Sequence, residues 1–229
     1  MSPLQSIFQA LFPSTCACCG QVLTAGESQI CVGCLADLPQ TGYSTYEDNP
    51  AERKLLGRIH FEHATAMLLY RSGGTVRQMV HAMKFHQCPE LCVIMGRQMG
   101  LDLMRSGHFD DVDILLPVPL HWLRQLGRGY NQSELLCRGI SEVMARPIST
   151  GNLIRHRNTL KQSQQSADNR VANVEGAFRV KKPDLLAGHH VLLVDDVMTT
   201  GATLTACADV LAGIPGIRIS VATLTIAGN

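Results

Sequence analysis

Residues 191–203 constrain the fold more than any other part of the chain. They read VLLVDDVMTTGAT, in which four apolar residues precede two carboxylates, Asp195 and Asp196, and a run of small and hydroxylated residues. An uninterrupted apolar run of this length is typical of a buried parallel strand. Apolar residues then recur at helical spacing, at Leu204, Cys207, Ala208 and Leu211. The segment therefore predicts a strand, a tight loop and the beginning of a helix.

The predicted loop is suited to a phosphate group. N–H groups at a helix amino terminus and the helix dipole favour an anion, and Gly201 permits backbone geometry that a β-carbon forbids. The predicted phosphate-binding residues are Val197, Met198, Thr199, Thr200, Gly201, Ala202 and Thr203. Neither a P-loop nor a Gly-x-Gly-x-x-Gly pattern is present, and the acid pair suits the vicinal hydroxyls of a ribose. The pattern resembles the phosphoribosyl-pyrophosphate (PRPP) motif of type I phosphoribosyltransferases. The alternative is a buried strand capped by a solvated Asp-Asp turn.

Composition narrows the class of protein. A chain of 229 residues is a long single domain, or one domain with a small appendage. Its 20 Lys and Arg residues balance 19 Asp and Glu residues, so no overall charge points to nucleic acid. No apolar run approaches the roughly 18 residues of a membrane span, and the first residues lack the features of a secretory signal. We therefore expect a soluble, cytoplasmic protein without membrane insertion.

Two Cys-x2-Cys pairs near the beginning of the chain predict a structural metal site. Cys16 and Cys19 form one pair, Cys31 and Cys34 form the other, and four such thiolates can surround Zn²⁺ tetrahedrally. Because so small a segment has almost no core, the metal would supply its folding energy. Cys18 is an alternative ligand within the first pair. A redox Cys-x2-Cys is the competing interpretation, and it would need a thioredoxin-like βαβ context.

The rest of the chain predicts an α/β fold with a mostly parallel sheet flanked by helices. Residues 64–70 and 114–116 read as strands, and helical spacing is found at 76–85, 91–106 and 136–144. We predict three parts. Residues 1–40 hold a short amphipathic helix (Leu4, Ile7, Phe8, Leu11) and the zinc knuckle, residues 41–58 form a polar linker, and residues 59–229 form the main domain. His60 and His63 lie just before the first strand and are not expected to bind a metal.

A second candidate site follows the strand at 114–116. Ligands of open α/β sheets bind beyond the carboxyl ends of the strands, where this chain has a loop rich in arginine, glycine and amides. We predict that it binds pyrophosphate through Arg124, Arg128, Gly129, Asn131 and Gln132. The alternative is an ordinary surface loop.

A third candidate is the long polar stretch at residues 155–178. Long loops within compact domains tend to be lids or disordered segments. Arg155, Arg157 and Lys161 would close over an anionic substrate, with Gln162 in the mobile part. A solvated loop without ligand contacts is the alternative.

Five motifs occur here in a fixed order. They are the paired Cys-x2-Cys, Tyr70 with Lys84-Phe85, Pro-Val-Pro…Arg-Gly-Tyr-Asn-Gln, Arg…Thr…Gln…Arg…Asn…Phe, and VLLVDDVMTTGAT. Together they resemble the ComF/GntX family of phosphoribosyltransferase-like proteins over nearly the whole chain. The resemblance implies a type I phosphoribosyltransferase-like domain, a zinc finger and a link to the handling of imported DNA. It implies no transferase substrate, and Cys18 departs from the family pattern.

The resemblance also implies roles for the site residues. Asp195 and Asp196 would bind ribose hydroxyls, Mg²⁺ with basic side chains would neutralise pyrophosphate, and Lys161 would close the site. Arg124 and Arg128 would contact the pyrophosphate. Type I folds often form dimers, so a homodimer is consistent with the family.

Three hypotheses about function follow. The first is an accessory protein of DNA uptake or utilisation that binds PRPP or a related ribose phosphate. The second is a metabolic phosphoribosyltransferase that acts on a base or an amine. The third is an adaptor that binds single-stranded DNA or the DNA-import machinery and keeps only a vestigial nucleotide site.

Overall fold

A computed structural model describes residues 13–71, 73–85, 88–120, 129–156 and 176–228. Its strands are β1 (Ala64–Tyr70), β2 (Ile114–Pro117), β3 (Leu153–Arg155), β4 (Phe178–Val180), β5 (His190–Met198) and β6 (Arg218–Ala227). Its α-helices are α1 (Val32–Ala36), α2 (Pro50–Leu55), α3 (Thr75–Phe85), α4 (Pro89–Ser106), α5 (Gln132–Met144) and α6 (Ala202–Leu211). Short 3₁₀ helices lie at Tyr43–Thr45 and Pro183–Leu185.

Four parallel strands form the main sheet in the order β1-β6-β5-β2, while β3 and β4 form a separate antiparallel pair. Helices α3, α4 and α5 contribute to one apolar cluster with the sheet, and α2 and α6 contribute to the other. Strand β5 has apolar neighbours on both faces, which explains its unbroken apolar run. The predicted α/β fold with a mostly parallel sheet flanked by helices is confirmed.

Helices α4 and α5 cross closely because each has a glycine at the contact. A β-carbon on Gly139 would lie 2.2 Å from the carbonyl oxygen of Val93, and one on Gly96 would lie 2.3 Å from that of Leu136. Backbone atoms cannot make room for such contacts without the helices separating. Close packing of these helices fixes the position of α5, whose amino terminus borders the candidate site.

The bounds of one predicted strand differ from the structure. Strand β1 has the predicted bounds, but β5 continues through Met198 instead of ending before the carboxylates. The continuation occurs because Asp195 and Met198 stay in register with β6, opposite Thr223 and Ile226. Asp195 and Asp196 therefore lie within the strand, where pairing with β6 fixes their backbone.

The segment predicted as a polar linker, residues 41–58, packs against the main domain. It contains α2, whose Ala51 and Leu55 are fully buried. Asn49 caps this helix by accepting N–H bonds from Ala51 and Glu52. The polar composition reflects a cap and an exposed face of a short helix. The division of the chain at 1–40, 41–58 and 59–229 stays a prediction, and the predicted helix around Leu4 and Leu11 lies outside the described residues.

Candidate functional site

The two predicted carboxylates lie near the carboxyl end of β5, in contact with α3 and α5. The Ser133 hydroxyl donates to Asp195 Oδ1 at 3.0 Å, and the Asp196 N–H donates to the same oxygen at 2.9 Å. Asp196 Oδ2 is 2.8 Å from Lys84 Nζ, and both side chains are largely buried. The structure thus brings together a serine, a lysine and the acid pair from three separate elements.

The environment of Asp195 disfavours its charge. Burial and the neighbouring negative charge of Asp196 raise the pKa of Asp195 to about 7, against the opposing effects of the Ser133 hydrogen bond and the Lys84 charge. A carboxyl group with a raised pKa in a polar cavity is typical of functional sites. Asp195 is therefore positioned to change protonation when a cation or a hydroxyl-bearing ligand binds.

Lys84 borders the acid pair, and the sequence analysis did not select it as a site residue. It lies in the last turn of α3. The backbone carbonyl of the preceding residue, Met83, accepts hydrogen bonds from the Tyr130 hydroxyl at 2.8 Å and from the Gln132 amide at 3.1 Å. The ordered Lys84-Phe85 motif was the one indication of its importance. The contact with Asp196 is decided by the tertiary structure.

Asn131 and Gln132, predicted as anion-binding residues, are buried and already hydrogen-bonded within the protein. Asn131 Oδ1 accepts from Ser133 N–H and caps α5, while Asn131 Nδ2 donates to Val118 O. These contacts make them positioning residues for Ser133 and Lys84, and anion binding by them stays a prediction. Gly129 has a left-handed backbone, with φ of 82°. The predicted Arg124 and Arg128 lie outside the described residues.

The predicted phosphate loop connects β5 to α6, as expected. Gly201 is left-handed, with φ of 79°, and precedes the first residue of α6. A β-carbon there would also lie 3.0 Å from Leu55 Cδ2, so α2 packs directly against the loop. The Met198 side chain is buried in the core. Only the backbone of Met198 can therefore contact a ligand.

Helix α2 and the turn after it supply two cations to this loop. Lys54 Nζ donates to Thr199 O at 3.2 Å, and an Arg58 guanidinium nitrogen donates to Thr200 O at 2.6 Å. Both residues fall in the segment predicted as a linker, and no sequence motif marked them. They place positive charge beside the predicted phosphate site.

A cavity of about 240 Å³ opens beside the acid pair. Its lining includes Lys84, Asn131, Ser133, Arg155, Asp195 and Asp196. A smaller pocket of about 130 Å³ is lined by Asp195 and residues 197–204, so it shares residues with the cavity. A larger cleft, lined by residues between positions 47 and 62, contains neither Asp195 nor Asp196. The acid pair, Lys84 and the phosphate loop thus border adjoining spaces.

Arg155 was predicted to begin a mobile loop, but it lies in β3. Its guanidinium carbon is 5.4 Å from the centre of the Phe178 ring on the paired strand β4, a distance suited to a cation–π contact. Arg155 therefore has a defined place at the cavity. Arg157, Lys161 and Gln162 lie outside the described residues.

The four predicted metal ligands come together. One sulfur from each of Cys16, Cys19, Cys31 and Cys34 lies within 4.8 Å of the others, whereas Cys18 is not part of the cluster. The Cys31 N–H donates to Cys16 Sγ and the Cys34 N–H donates to Cys31 Sγ. Backbone donors aimed at sulfur and four convergent thiols fit a tetrahedral metal such as zinc.

Cys16 and Cys18 differ in their readiness to ionise. Burial opposes ionisation of Cys16, but backbone N–H groups of Cys19, Cys31 and Cys18 stabilise its thiolate, and its pKa is lowered to about 6. Burial raises the pKa of Cys18 to about 12, and the charge of Cys16 adds to this effect. Burial also raises the pKa of Cys34, which is in the cluster, so the ligand set is assigned from the convergence of the four sulfurs and not from their pKa values.

Comparisons with known proteins agree with this architecture. The phosphoribosyl transferase domain family matches residues 141–228, which contain Asp195, Asp196 and the phosphate loop. The DNA utilization protein YhgH of Escherichia coli K12 is 29% identical over 87% of this chain and 91% of its own. Competence protein F of Haemophilus influenzae is 34% identical over 48% of each chain. Competence protein ComFC of Bacillus subtilis is 40% identical over 40% of this chain and 35% of its own.

These relatives confirm the resemblance inferred from the five ordered motifs. A solved UMP synthase of Leishmania donovani matches 77% of this chain and 31% of its own at 14% identity and a TM-score of 0.36. Across the part of the chain that the structure describes, no helix is both long and apolar enough to cross a bilayer.

Proposed function

We propose that this protein, which belongs to the ComF family of phosphoribosyltransferase-like proteins, binds PRPP or a related ribose phosphate at the carboxyl edge of its sheet and supports the uptake or nutritional use of extracellular DNA. The observation that carries the proposal is the juxtaposition of Lys84, Asp195 and Asp196 beside the loop at residues 199–203. Each component suits one part of the ligand.

The carboxylates suit the ribose. Asp195 and Asp196 offer oxygens that accept hydrogen bonds from vicinal hydroxyls, and Ser133 fixes the orientation of Asp195. The loop N–H groups and the amino terminus of α6 suit the 5-phosphate. Lys54 and Arg58 add positive charge on the same side.

Cationic side chains suit the pyrophosphate. Lys84 and Arg155 line the cavity with the acid pair, so a bound pyrophosphate would exchange the Lys84–Asp196 ion pair for a lysine–phosphate contact. Asp195 and Asp196 are also suitable oxygen donors for hydrated Mg²⁺, which neutralises phosphate charge when bound. Arg124, Arg128 and Lys161 stay predicted contributors to the same anion site.

The proposed binding is tested by calorimetric titration of PRPP, with and without Mg²⁺, into the full chain. We expect Mg²⁺-dependent binding that the double variant Asp195→Asn/Asp196→Asn loses, since the amides keep the shape but not the charge. Asp184→Ala removes an exposed carboxylate outside the site and serves as the control. Absence of PRPP binding by folded, metal-loaded wild-type protein would refute the proposal and favour the adaptor hypothesis.

Transfer chemistry is a separate question from binding. If PRPP binds, a screen of nucleobases and amines for PRPP consumption tests the metabolic phosphoribosyltransferase hypothesis. Turnover with one acceptor would establish an enzyme, and none would leave binding as the activity of the site.

The cellular role is tested by complementation of an E. coli strain that lacks its DNA utilization protein. We expect the wild-type chain to restore growth on DNA as carbon source and the Asp195→Asn/Asp196→Asn variant to fail at equal expression. Equal growth with both chains would separate DNA utilisation from the ribose-phosphate site. The cytoplasmic location stays a prediction.

A further inference from the structure

We propose that Glu47, His63 and His108 form a second metal site, for a divalent first-row transition ion such as Zn²⁺. One ligand atom from each side chain lies within 4.8 Å of the other two. His63 immediately precedes β1, whereas the carboxylate pair is near the end of the parallel strand β5. The proposed site is therefore at the amino edge of the sheet, opposite the ribose-phosphate site and separate from the cysteine cluster.

The three ligands come from different segments that the fold holds together. Asn49 is almost fully buried, and its amide donates to Tyr46 O at 3.1 Å and to Ala64 O at 2.9 Å. These bonds connect the turn that carries Glu47 to the strand residue next to His63. The position of Glu47 relative to His63 is thus fixed by the backbone.

His108 is placed by the end of helix α4. Gly107 has a left-handed backbone, with φ of 74°, and turns the chain so that the next residues face the sheet. The buried Phe109 ring packs edge-on against the His63 ring, with centres 5.8 Å apart. The His63 and His108 ring centres are 4.9 Å apart.

The two imidazoles and the carboxylate are available for a ligand. Within the described residues, His63 and His108 make ring contacts, and none of the three side chains makes a hydrogen bond or an ion pair. Both histidines are partly buried and Glu47 is exposed. Neither imidazole is fully buried, so an incoming ion can reach the ring nitrogens without displacing a protein partner.

The surroundings favour a cation. Glu47 lies in the lining of a cleft of about 720 Å³ that also contains Asp48, Glu52 and Glu62. The two basic residues of that lining are engaged: Arg53 pairs with Asp48, and Arg58 donates to Thr200 O. The four carboxylates of the lining exceed its two guanidinium groups by two formal charges, so the cleft is negative.

The ligand set matches known zinc chemistry. Two histidines and one carboxylate form a common three-ligand zinc site with an open fourth position. Zn–ligand bonds of 2.0–2.2 Å put tetrahedral ligand atoms about 3.4 Å apart, so binding would draw the three atoms together. Because Glu47 is exposed, its side chain can make most of that adjustment. Imidazole and carboxylate also accept Ni²⁺, Cu²⁺ and Fe²⁺, so the class is a divalent transition ion.

The test is the number of zinc ions that the full chain retains after saturation with Zn²⁺ and gel filtration, measured by mass spectrometry of the metal. We expect two equivalents in the wild type, one in the cysteine cluster and one in the proposed site. His63→Ala and His108→Ala should each reduce the number to one. His60→Ala removes a histidine from the lining of the same cleft and should leave two.

Competition with a chelator measures the affinity of the second ion. It gives a test that does not depend on the folding of the histidine variants. Loss of a partner outside the metal shell costs about 10- to 100-fold in affinity, so we expect Glu47→Gln, which removes a direct ligand, to weaken the second ion by at least about 100-fold. Glu47 is exposed, and this variant should fold even if His63→Ala does not. One equivalent in the wild type with the cysteine cluster filled, or unchanged affinity in Glu47→Gln, would overturn the proposal.

Discussion

The cysteine knuckle and the carboxyl edge of the sheet build their sites in opposite ways. In the knuckle, the sulfurs of Cys19 and Cys31 approach to 3.8 Å across only 12 positions of sequence. At the sheet edge, Ser133 and Asp195 are 62 positions apart and hydrogen-bond at 3.0 Å. The thiols of the first site are brought together within one short stretch of sequence, whereas the second site depends on the packing of the whole domain.

The two regions also differ in what stabilises them. The knuckle buries only a few residues, such as Cys16, Cys18 and Ile30, and Cys19 is exposed. At the sheet edge, β5 is anchored by four fully buried residues at 191–194. A segment with a small core needs a further source of stability, such as a metal. A domain with a large core has enough stability to bury a charged group, even though that burial is destabilising.

Cys16→Ser should separate the knuckle from the rest of the protein. Structural zinc supplies about 10–16 kcal/mol in isolated zinc fingers, so we expect loss of the cluster metal and unfolding of residues 13–40. Hydrogen exchange should increase there and stay slow in β5. Cys18→Ala is the matched control: it should retain the metal at a cost of about 1 kcal/mol in unfolding free energy. Loss of the metal in Cys18→Ala would contradict the ligand assignment.

Asp195→Asn should stabilise the protein at high pH. A raised pKa in the folded state means that the neutral carboxyl is favoured by folding at low pH, and this advantage is lost as the pH rises through about 7. We expect the variant to exceed the wild type by about 1–3 kcal/mol in unfolding free energy at pH 8, and to match it below pH about 4. Urea unfolding at pH 4, 6 and 8 measures this, and a difference independent of pH would exclude the titration of Asp195 as its cause.

Lys84→Met should weaken both stability and ligand binding at the edge. The Lys84–Asp196 pair is 2.8 Å long, with side-chain exposures of 22% and 16%, so it is intermediate between surface and buried pairs. We expect a loss of about 1–2 kcal/mol at pH 7 and a further rise in the pKa of Asp195, since the lysine charge lowers it. Lys181→Met, at an exposed position, is the control for loss of charge. Equal unfolding curves for Lys84→Met and wild type would show that the pair contributes nothing.

Lys54→Met and Arg58→Met should affect binding more than folding. Each removes a donor to the phosphate loop but little buried surface, so we expect less than about 1 kcal/mol in unfolding free energy. PRPP binding should weaken by a few-fold to about 10-fold in each variant. Arg53→Met removes a neighbouring cation that pairs with Asp48 in solvent, and it should bind as wild type does. A similar loss in all three would indicate a general effect of charge.

Part of this architecture could be predicted from the sequence. Strand β1 has the predicted bounds, and the four thiols of Cys16, Cys19, Cys31 and Cys34 converge as their spacing predicts. Helix α2 was missed because six residues are too few to show a clear periodicity, and its cap and exposed face read as a linker. Asn131 and Gln132 were selected for their polar chemistry, although burial has already committed their amides to the protein.

The sequence by itself determined β1, β2 and the helical spacing of α3, α4 and α5, the four-cysteine cluster, and the succession of strand, acid pair, loop and helix at residues 191–203. It could do so because periodicity and short spacings report on residues that stay close along the chain. Only the tertiary structure decided that Lys84 contacts Asp196, that Lys54 and Arg58 hold the phosphate loop, and that His63 meets His108. Parallel strands are joined by long crossover connections, which bring residues far apart in the sequence to one edge of the sheet. The spacing of nearby residues therefore does not predict these contacts.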